Sequence, residues 1–324
     1  MVIRTLFFVS LVFLSYGVRA DAQPLSAKAW LEKMSISMQT TDYEGTFIYF
    51  HDGEMEVMNL SHTYDEQGEI ERLVSLNGVP REIIRDYTNV ICVWPDSKSA
   101  VVSRSRKRTP FPAFSSEILK KLDDFYEFLI TKKDRIANRV AQQIEVKPKD
   151  ALRYGYNIWV DEASYLLLRS DLVNVKGKML EQVTFTRMEQ VEGLQIEQFT
   201  QEALGSDYRW VYSEEEAAQG SSQHQGWKFA TLPAGFELIS MQLKPMYKEA
   251  EMVNHLILSD GLATVSVYVD PNLELAKQSA LQGESTMGAV NAYGMVKGRL
   301  QVTAVGEVPM ATIKHVVNAL KVKG

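Results

Sequence analysis

The segment DYEGTFIYFHDGEMEVMNLSH, from Asp42 to His62, constrains the fold of this chain more than any other stretch. Its central Asp52-Gly53 pair is a typical two-residue hairpin turn, so the segment predicts two antiparallel β-strands. Successive side chains of a strand point to opposite faces, and the sequence FIYF at residues 47–50 is therefore apolar on both faces. Because an antiparallel sheet commonly leaves one face to water, the second apolar face predicts a covering helix, a second sheet or an apolar ligand.

The first 20 residues have the pattern of a secretory signal peptide. Arg4 precedes the apolar run LFFVSLVFLSYGV, and small residues follow, so we expect cleavage near Ala20 or Ala22. No later run reaches the roughly 18 apolar residues that a bilayer-spanning helix needs. The sole cysteine, Cys92, allows no internal disulfide. An exported chain large enough to build its core without disulfides predicts a location in the bacterial periplasm.

The charge of the exported chain is acidic. Removal of residues 1–20 takes away Arg4 and Arg19, which leaves 33 basic against 41 acidic residues and a formal charge of −8. A chain with this balance lacks the basic surface expected of a nucleic-acid-binding protein.

Hydrophobic periodicity predicts two α+β units joined by the polar, acidic segment 214–226. For residues 21–213 we expect a large, strongly curved antiparallel sheet with a few helices, and for residues 227–324 a smaller α+β domain. The predicted elements of the first unit are helices at 27–40 and from Ser116 to Leu129, with strands at 47–51, 57–64, 70–76, 79–86, 90–94, 140–146, 153–160, 166–172 and 179–188. Those of the second unit are strands at 238–243, 255–258, 264–269 and 299–305, with a helix beginning at Pro309.

The sequence contains none of the motifs that most readily indicate catalysis. It has no G-x-S-x-G elbow, no H-E-x-x-H zinc helix, no P-loop and no G-x-G-x-x-G. Its five histidines lie on separate predicted elements. We therefore expect a protein that is not an enzyme and that carries no metal and no cofactor.

A basic run suggests a site for phosphate groups. Its four cations lie within five residues and precede the rigid apolar sequence TPFPAF; they are Arg104, Arg106, Lys107 and Arg108. In an acidic protein, such a cluster creates a local positive potential that can bind phosphates. The alternative interpretation is a solvated basic loop.

A surplus of apolar strand residues suggests an apolar cavity. The candidate lining residues are Phe47, Tyr49, Tyr156, Trp159, Leu166 and Leu168. These side chains can also form ordinary core beneath the helices, and that alternative explains most of them. An apolar cavity with a basic rim is typical of a site for a phosphorylated lipid.

Several longer phrases resemble the RseB/MucB family of periplasmic negative regulators of the extracytoplasmic-stress sigma factor. In the first unit they are WLEKMSISMQTTDYEGTFIYFHDGEME, LNGVPREIIRD, FYEFLITKKDRIANR, YGYNIWVDEASYLLLRSDL and LEQVTF, and in the second TLPAGFEL, LILSDGLATVSVYV and AVGEVPMATIKHVVNALK. The resemblance covers nearly all of the chain after the signal sequence. The KFA stretch after Trp227 departs from the family pattern, which has a proline before LPAGF, and the linker is longer and more acidic.

The resemblance implies a fold, a partner and a mode of action. The first domain is expected to be a half-barrel similar to the lipoprotein carriers LolA and LolB, with helices over its concave side. The expected partner is the periplasmic segment of an anti-sigma factor of the RseA/MucA type, which the protein would protect from the site-one protease. Lipopolysaccharide or a related lipid would release it, and a homo-oligomer is possible. The family implies no catalytic residues.

Two other functions remain open at this point. A periplasmic lipid or lipoprotein carrier of the LolA class would explain the first domain equally well, but it leaves residues 227–324 without a task. An exported hydrolase would require distant residues to converge in space.

Overall fold

The computed structural model describes residues 24–104, 114–196, 207–212, 227–247, 251–271 and 281–322. Antiparallel strands dominate this part of the chain, with few helices, and they form two large sheets. The elements up to residue 212 are α1 (Ala27–Thr40), β1 (Tyr43–His51), β2 (Glu54–Asp65), β3 (Gly68–Ser75), β4 (Glu82–Arg85), β5 (Asn89–Trp94), β6 (Ser99–Arg104), α2 (Ser116–Leu122), β7 (Tyr126–Ile136), β8 (Arg139–Pro148), β9 (Gly155–Asp161), β10 (Leu167–Val173), β11 (Met179–Gln190) and β12 (Arg209–Tyr212). From residue 227 they are β13 (Trp227–Phe229), β14 (Glu237–Tyr247), β15 (Glu251–Ser259), β16 (Thr264–Asp270), β17 (Gly283–Met287), β18 (Val290–Lys297), β19 (Leu300–Gly306), α3 (Met310–Ala319) and β20 (Leu320–Val322).

The first sheet has twelve strands in the order β12-β6-β5-β4-β3-β2-β1-β11-β10-β9-β8-β7. Its two end strands do not pair with each other in the described residues, so the sheet is open. Helix α1 contacts β2 on one side of the order and β7, β8 and β9 on the other. The sheet therefore curves around α1, in agreement with the strongly curved antiparallel sheet of the predicted α+β fold.

The predicted hairpin and the opening helix are both present. The turn residues Asp52 and Gly53 have φ angles of 47° and 82°, which matches a two-residue hairpin turn. Helix α1 begins after Ser26, whose hydroxyl accepts a hydrogen bond from Ala29 N at 3.2 Å. One side of α1 is buried against the sheet, including Leu31. The helix therefore covers part of the inner face of the sheet, and it is one of the covering elements that the doubly apolar strand predicted.

The predicted helix from Ser116 to Leu129 is wrong in its second half. Helix α2 ends at Leu122, and its N-cap is Ser115 rather than Ser116. Residues from Tyr126 onward form β7, which pairs with β8. The aromatic and branched sequence YEFLI favours a pleated strand, and pairing with β8 outweighs an apolar spacing that also suits a helix.

The strand predicted at 79–86 is shorter than expected, because β4 spans only Glu82–Arg85. The Asn77 side chain explains the difference, since it accepts from Val57 N at 2.7 Å and donates to Met55 O at 2.9 Å. These bonds hold the chain against β2 before β4 begins. Strands β6 and β12 were not predicted, and β12 is the parallel partner of β6.

The second domain is a separate six-stranded sheet with the order β14-β15-β16-β19-β18-β17, all antiparallel. Helix α3 begins after Pro309, as predicted, and buries Ile313, Val316 and Val317. These side chains share a core with Leu256 and other residues of the sheet. Among the described residues, no helix has the length and apolar character to cross a membrane.

The two domains meet at the loop between β8 and β9. Arg153 of this loop is fully buried, and its guanidinium pairs with Asp260 of the second domain at 2.6 Å. Next to it, Asn291 Nδ2 donates to the hydroxyl of Tyr154 at 2.9 Å. The interface is also tight, because a Cβ built on Gly235 would come within 2.5 Å of Phe125. The domains are therefore docked through buried polar and apolar contacts.

Candidate binding cavity

A cavity of about 600 Å³ opens on the inner face of the large sheet. Its volume lies in the usual range for small-ligand sites. Its walls come mainly from β1, β2, β3, β9, β10 and β11, with one residue from the second domain. The lining residues are Phe47, Tyr49, His51, Glu56, Met58, Leu60, Glu71, Leu73, Arg81, Tyr156, Ser170, Leu172, Glu181, Gln182, Val183 and Glu307.

The strand pleat determines which side chains reach the cavity. Every second residue of a strand faces the same side, so Phe47, Tyr49 and His51 of β1 reach it together. The register places Met58 of β2 opposite Phe47 and Glu56 opposite Tyr49. The apolar and the carboxylate side chains of the wall therefore lie side by side on adjacent strands.

The apolar wall continues into the core, where Phe47 is 6% exposed and Phe185 is 2% exposed. Tyr49, Leu73 and Val183 are partly buried and pack against that core. The cavity is therefore an extension of the inner apolar face beyond the part that α1 covers.

Hydrogen bonds and ion pairs orient the polar lining residues. The Tyr49 hydroxyl donates to Glu181 Oε2 at 2.8 Å. Arg81 Nη2 donates to Glu56 Oε2 at 3.1 Å, and His51 Nε2 lies 3.6 Å from Glu56 Oε1. These contacts attach the polar groups to the strands and leave an apolar floor between them.

The titration of Tyr49 reflects this environment. Burial raises the pKa of its phenol well above the usual value, and the hydrogen bond to Glu181 raises it further. The negative charges of Glu181, Glu307 and Glu56 act in the same direction. Tyr49 therefore remains a neutral hydrogen-bond donor over the physiological pH range.

A buried carboxyl lies at the β3 end of the cavity. Burial raises the pKa of Glu71 above its usual value, while the charges of Arg85 and His62 partly oppose the shift. Arg85 Nη2 lies 2.9 Å from Glu71 Oε2, so the two side chains form an ion pair in which the carboxylate is buried.

The lining of the cavity suits the binding of a ligand. Across the described ranges, no group of three or more His, Cys, Asp or Glu side chains has metal-binding geometry. The cavity offers an apolar surface with several fixed acceptors, which is a combination that orients a ligand.

Three of the six predicted cavity residues line the cavity, namely Phe47, Tyr49 and Tyr156. The structure places the others, Trp159, Leu166 and Leu168, in the core at 4%, 0% and 0% exposure. Leu166 and Leu168 are absent from the lining because they pack in the core that includes α1. Trp159 is absent because it lies three residues after Tyr156 on β9 and so points to the opposite face of the sheet.

The predicted phosphate-binding cluster is described only in part. Arg104 is exposed at the end of β6, which lies five strands from β1 in the sheet order. It does not line the cavity. Arg106, Lys107 and Arg108 lie outside the described residues.

Sequence reasoning missed the carboxylates of the cavity. The position of Glu56 opposite Tyr49 follows from the Asp52-Gly53 turn, so the hairpin register offered a signal for it. Glu181 reaches the site because its strand, β11, pairs with β1, and Glu307 reaches it because the second domain docks there. The local sequence gives no signal for either contact.

Comparison with known proteins identifies the family. The MucB/RseB N-terminal domain family matches residues 26–203, and the MucB/RseB C-terminal domain family matches residues 221–321. The sigma-E factor regulatory protein RseB of Haemophilus influenzae is 29% identical over 309 residues, which cover 93% of each chain. The sigma factor AlgU regulatory protein MucB of Pseudomonas aeruginosa is 26% identical over 310 residues, which cover 92% of each chain.

A solved structure of the Pseudomonas aeruginosa MucA/MucB complex has the same fold. Its similarity to this chain has a TM-score of 0.67 at 24% identity, and it covers 92% of this chain and 99% of that chain. Both halves of the sequence match the family, and the chain belongs to the MucB/RseB family of regulatory proteins.

Proposed function

We propose that this protein is a periplasmic regulator that binds the periplasmic segment of a membrane anti-sigma factor of the RseA/MucA type. Bound there, it shields the segment from the site-one protease and so restrains the envelope-stress sigma factor. A lipopolysaccharide-type lipid then releases it. The observation that carries the proposal is family membership across both domains, since the relatives are named as regulators of sigma factors.

The partner is proposed by analogy with a solved relative. MucB of Pseudomonas aeruginosa has been solved in complex with MucA. A protease must bind its substrate in an extended, accessible form, so a regulator that binds the same segment blocks cleavage by occupying it. This mode of action needs a binding surface but no catalytic residue.

The cavity supports a ligand-dependent release. Its walls come mainly from the first domain, and Glu307 of the second domain completes them. A ligand that fits the cavity in only one domain arrangement shifts the protein towards that arrangement by its difference in affinity. The proposed units for this motion are residues 21–213 and 227–324, connected by residues 214–226.

The lipid is proposed to place its acyl chains in the apolar part of the cavity, along Phe47, Tyr49 and Tyr156. Its phosphates would lie on the basic run at residues 104–108. Replacing Arg104, Arg106, Lys107 and Arg108 together by alanine should then weaken binding of phosphorylated lipid and flatten its salt dependence. Unchanged affinity would remove the basic run from the site.

A protease-protection assay tests the main proposal. The periplasmic segment of the anti-sigma factor from the same bacterium is incubated with the site-one protease, with and without this protein, and then with lipopolysaccharide. We expect cleavage to slow when the protein is present and to recover when lipopolysaccharide is added. An unrelated acidic periplasmic protein at the same concentration is the control, and equal cleavage rates with both proteins would contradict the proposal.

A lipid or lipoprotein carrier of the LolA class is the second candidate, because an apolar cavity alone would serve it. The same assay separates the two functions. A carrier binds acylated ligands but leaves the cleavage rate of the anti-sigma segment unchanged.

A further inference from the structure

A row of apolar side chains leads out of the cavity and across the sheet to β6. Leu73 of β3 lines the cavity, and the strand register places it opposite Ile83 of β4. The register then continues through one residue of each following strand. The members of this apolar row are Leu73, Ile83, Cys92 and Val101. Directly paired residues of neighbouring strands lie on the same face of a sheet, so the whole row shares the inner face with the cavity.

Each residue of the apolar row keeps part of its surface accessible, because all four are only partly buried. Helix α1 contacts β2, whereas the row lies on the strands that follow β2 in the sheet order. Burial raises the pKa of the Cys92 thiol, and the charge of the cavity residue Arg81 opposes this shift. Cys92 is therefore close to the cavity wall, on the same side of the sheet.

The apolar row is narrow, because polar residues border it on two of its strands. The bordering residues on the same face are Arg81 and Arg85 at β4, Val90 and Trp94 on β5, and Ser99 and Ser103 on β6. Side chains on one face of a strand are about 6.8 Å apart. A helix with its side chains is about 10 Å wide, so a helix on the row would press against the two arginines.

The strands beneath the row offer no backbone hydrogen bonds to a ligand. Strands β3, β4, β5 and β6 each pair with a neighbour on both sides. An extended polypeptide laid across the row would therefore gain no backbone partner for its own N–H and C=O groups. An alkyl chain has no such groups, and it loses nothing when it lies on apolar side chains between paired strands.

The length of the row also fits an alkyl chain. The row crosses three strand-to-strand steps from β3 to β6, which is roughly 14 Å. The hydrocarbon core of a bilayer is about 30 Å thick, so the acyl chains of one leaflet span about 15 Å. The row is thus about as long as one acyl chain of a membrane lipid.

We propose that the apolar row binds a single acyl chain, which enters through the cavity and reaches towards Val101. The inference rests on the proposed function, because it gives one chain of the releasing lipid a defined path. It also makes chain length a property that the protein selects. A short chain would remain in the cavity, whereas a long chain would pass Leu73 and cover Cys92.

The only cysteine of the chain reports on the row, because Cys92 is its third residue. The reaction of its thiol with Ellman's reagent is timed with uncharged alkyl maltosides, each below the concentration at which it forms micelles. Tetradecyl maltoside at about ten times its Kd leaves about one protein molecule in eleven free, so the reaction should slow about tenfold. Octyl maltoside at the same saturation should leave the rate nearly unchanged.

A matched pair of variants locates the chain. Val101→Phe obstructs the far end of the row, whereas Val102→Phe places the same side chain next to it on the opposite face of β6. Each CH₂ that is buried tightens binding by about fourfold, so Val101→Phe should weaken tetradecyl maltoside about tenfold. Val102→Phe should leave its Kd unchanged, and neither variant should alter the Kd of octyl maltoside. Isothermal titration calorimetry measures these constants. If thermal unfolding shows that a phenylalanine variant has lost structure, Val101→Asn and Val102→Asn replace the pair.

Three outcomes would overturn the inference. Equal protection of Cys92 by octyl and tetradecyl maltoside would mean that chain length is not read along the row. Equal Kd values of tetradecyl maltoside for the two phenylalanine variants would place the chain elsewhere. Protection of Cys92 by an amphipathic leucine–lysine helical peptide, but not by tetradecyl maltoside, would assign the row to a polypeptide.

The inference and the proposed function can fail separately. If lipopolysaccharide ends the protection of the anti-sigma segment equally well with the parent and with Val101→Phe, the function stands and the row has no part in it. If Cys92 is covered in proportion to chain length but the parent protein does not slow cleavage of the segment, the row stands and the function is rejected.

Discussion

Nη1 of Arg153 lies 2.6 Å from Oδ2 of Asp260, and neither side chain is exposed to solvent. Arg153 belongs to the β8–β9 loop of the first domain, and Asp260 to the turn after β15 of the second. The guanidinium also donates to both carboxylate oxygens of Asp150 at 3.1 and 3.0 Å and to Ala234 O at 2.6 Å. A buried charge is tolerated only when it is paired, so the Arg153 side chain requires the second domain in place.

Replacement of Asp260 by asparagine tests this dependence. The asparagine side chain would keep an acceptor for the backbone N–H groups of Leu262 and Ala263, which Asp260 Oδ1 now binds at 2.9 and 2.7 Å. It would leave the buried Arg153 with less compensation, so we expect the free energy of unfolding to fall by about 3–5 kcal/mol. Urea unfolding measures the change.

An exposed ion pair provides the control for that variant. Arg187 Nη2 lies 2.6 Å from Glu189 Oε2, but both side chains are more than half exposed. Glu189→Gln should leave the urea midpoint unchanged, because water and salt screen this pair. Equal midpoints for the Asp260 and Glu189 variants would contradict the role of the buried pair.

Gly235→Ala tests the steric fit of the domains. Gly235 has a φ of +84°, and a Cβ there would lie 2.5 Å from Phe125. Gly177→Ala is the matched control, because Gly177 has a φ of +75° and nothing within 4 Å of the added atom. Both variants carry backbone strain of about 1–2 kcal/mol, and the clash should cost Gly235→Ala about 1–3 kcal/mol more. Equal unfolding temperatures would show that the interface can yield at Phe125.

The stability of the protein should depend on the ionisation of Glu71. Because burial raises the pKa of this carboxyl, the folded state binds its proton more tightly than the unfolded state does. The resulting stability is fully present below the ordinary glutamate pKa and is lost as the pH rises through the raised pKa. Glu71→Gln should therefore gain stability relative to the parent between pH 4 and pH 8, as measured by urea unfolding at each pH.

The control for this titration is Glu117→Gln, at a side chain that is 81% exposed. Its stability difference from the parent should stay constant over the same pH range. A Glu71→Gln curve that also runs parallel to the parent would mean that Arg85 compensates the buried charge completely.

Filling the cavity should block apolar ligands. Val183 lines the cavity and is partly buried, so Val183→Phe would occupy part of its volume. We expect binding of the neutral dye Nile red to weaken by on the order of tenfold. Val211→Phe introduces the same side chain at a position that is 43% exposed on β12, outside the cavity, and should leave dye binding unchanged. Equal dye binding by both variants would place the apolar site elsewhere.

The local sequence correctly predicted those elements whose conformation depends on residues close to one another in the chain. The Asp52-Gly53 turn, helix α1 and the start of α3 at Pro309 were predicted, because each is determined by a turn residue, an apolar spacing or a proline. Strand β7 was missed because its residues suit a helix and a strand alike, and pairing with β8 decides between them. The parallel pairing of β12 with β6 joins segments about a hundred residues apart, and no local pattern indicates it.

The same distinction applies to the candidate site. The apolar character of Phe47 and Tyr49 was visible in the sequence because strand alternation is local. The same alternation shows that Trp159, three residues after Tyr156, faces away from the cavity, where the Arg169 guanidinium lies 4.4 Å from the centre of its ring. The burial of Leu166 and Leu168 in the core with α1 is decided by packing. The contribution of Glu307 depends on domain docking, so it could be found only in the folded structure.

The second domain is attached to the first at two distant places, and this limits how far it can move. The covalent link leaves the large sheet at β12, the strand at one edge of the order, whereas Arg153 precedes β9, near the opposite edge. The 14 residues from 213 to 226 can span at most about 50 Å. If the contact at Arg153 opened, the freed domain would stay at millimolar effective concentration near its docking surface. Each opening would then be reversible within one molecule, at a rate independent of how much protein the cell contains.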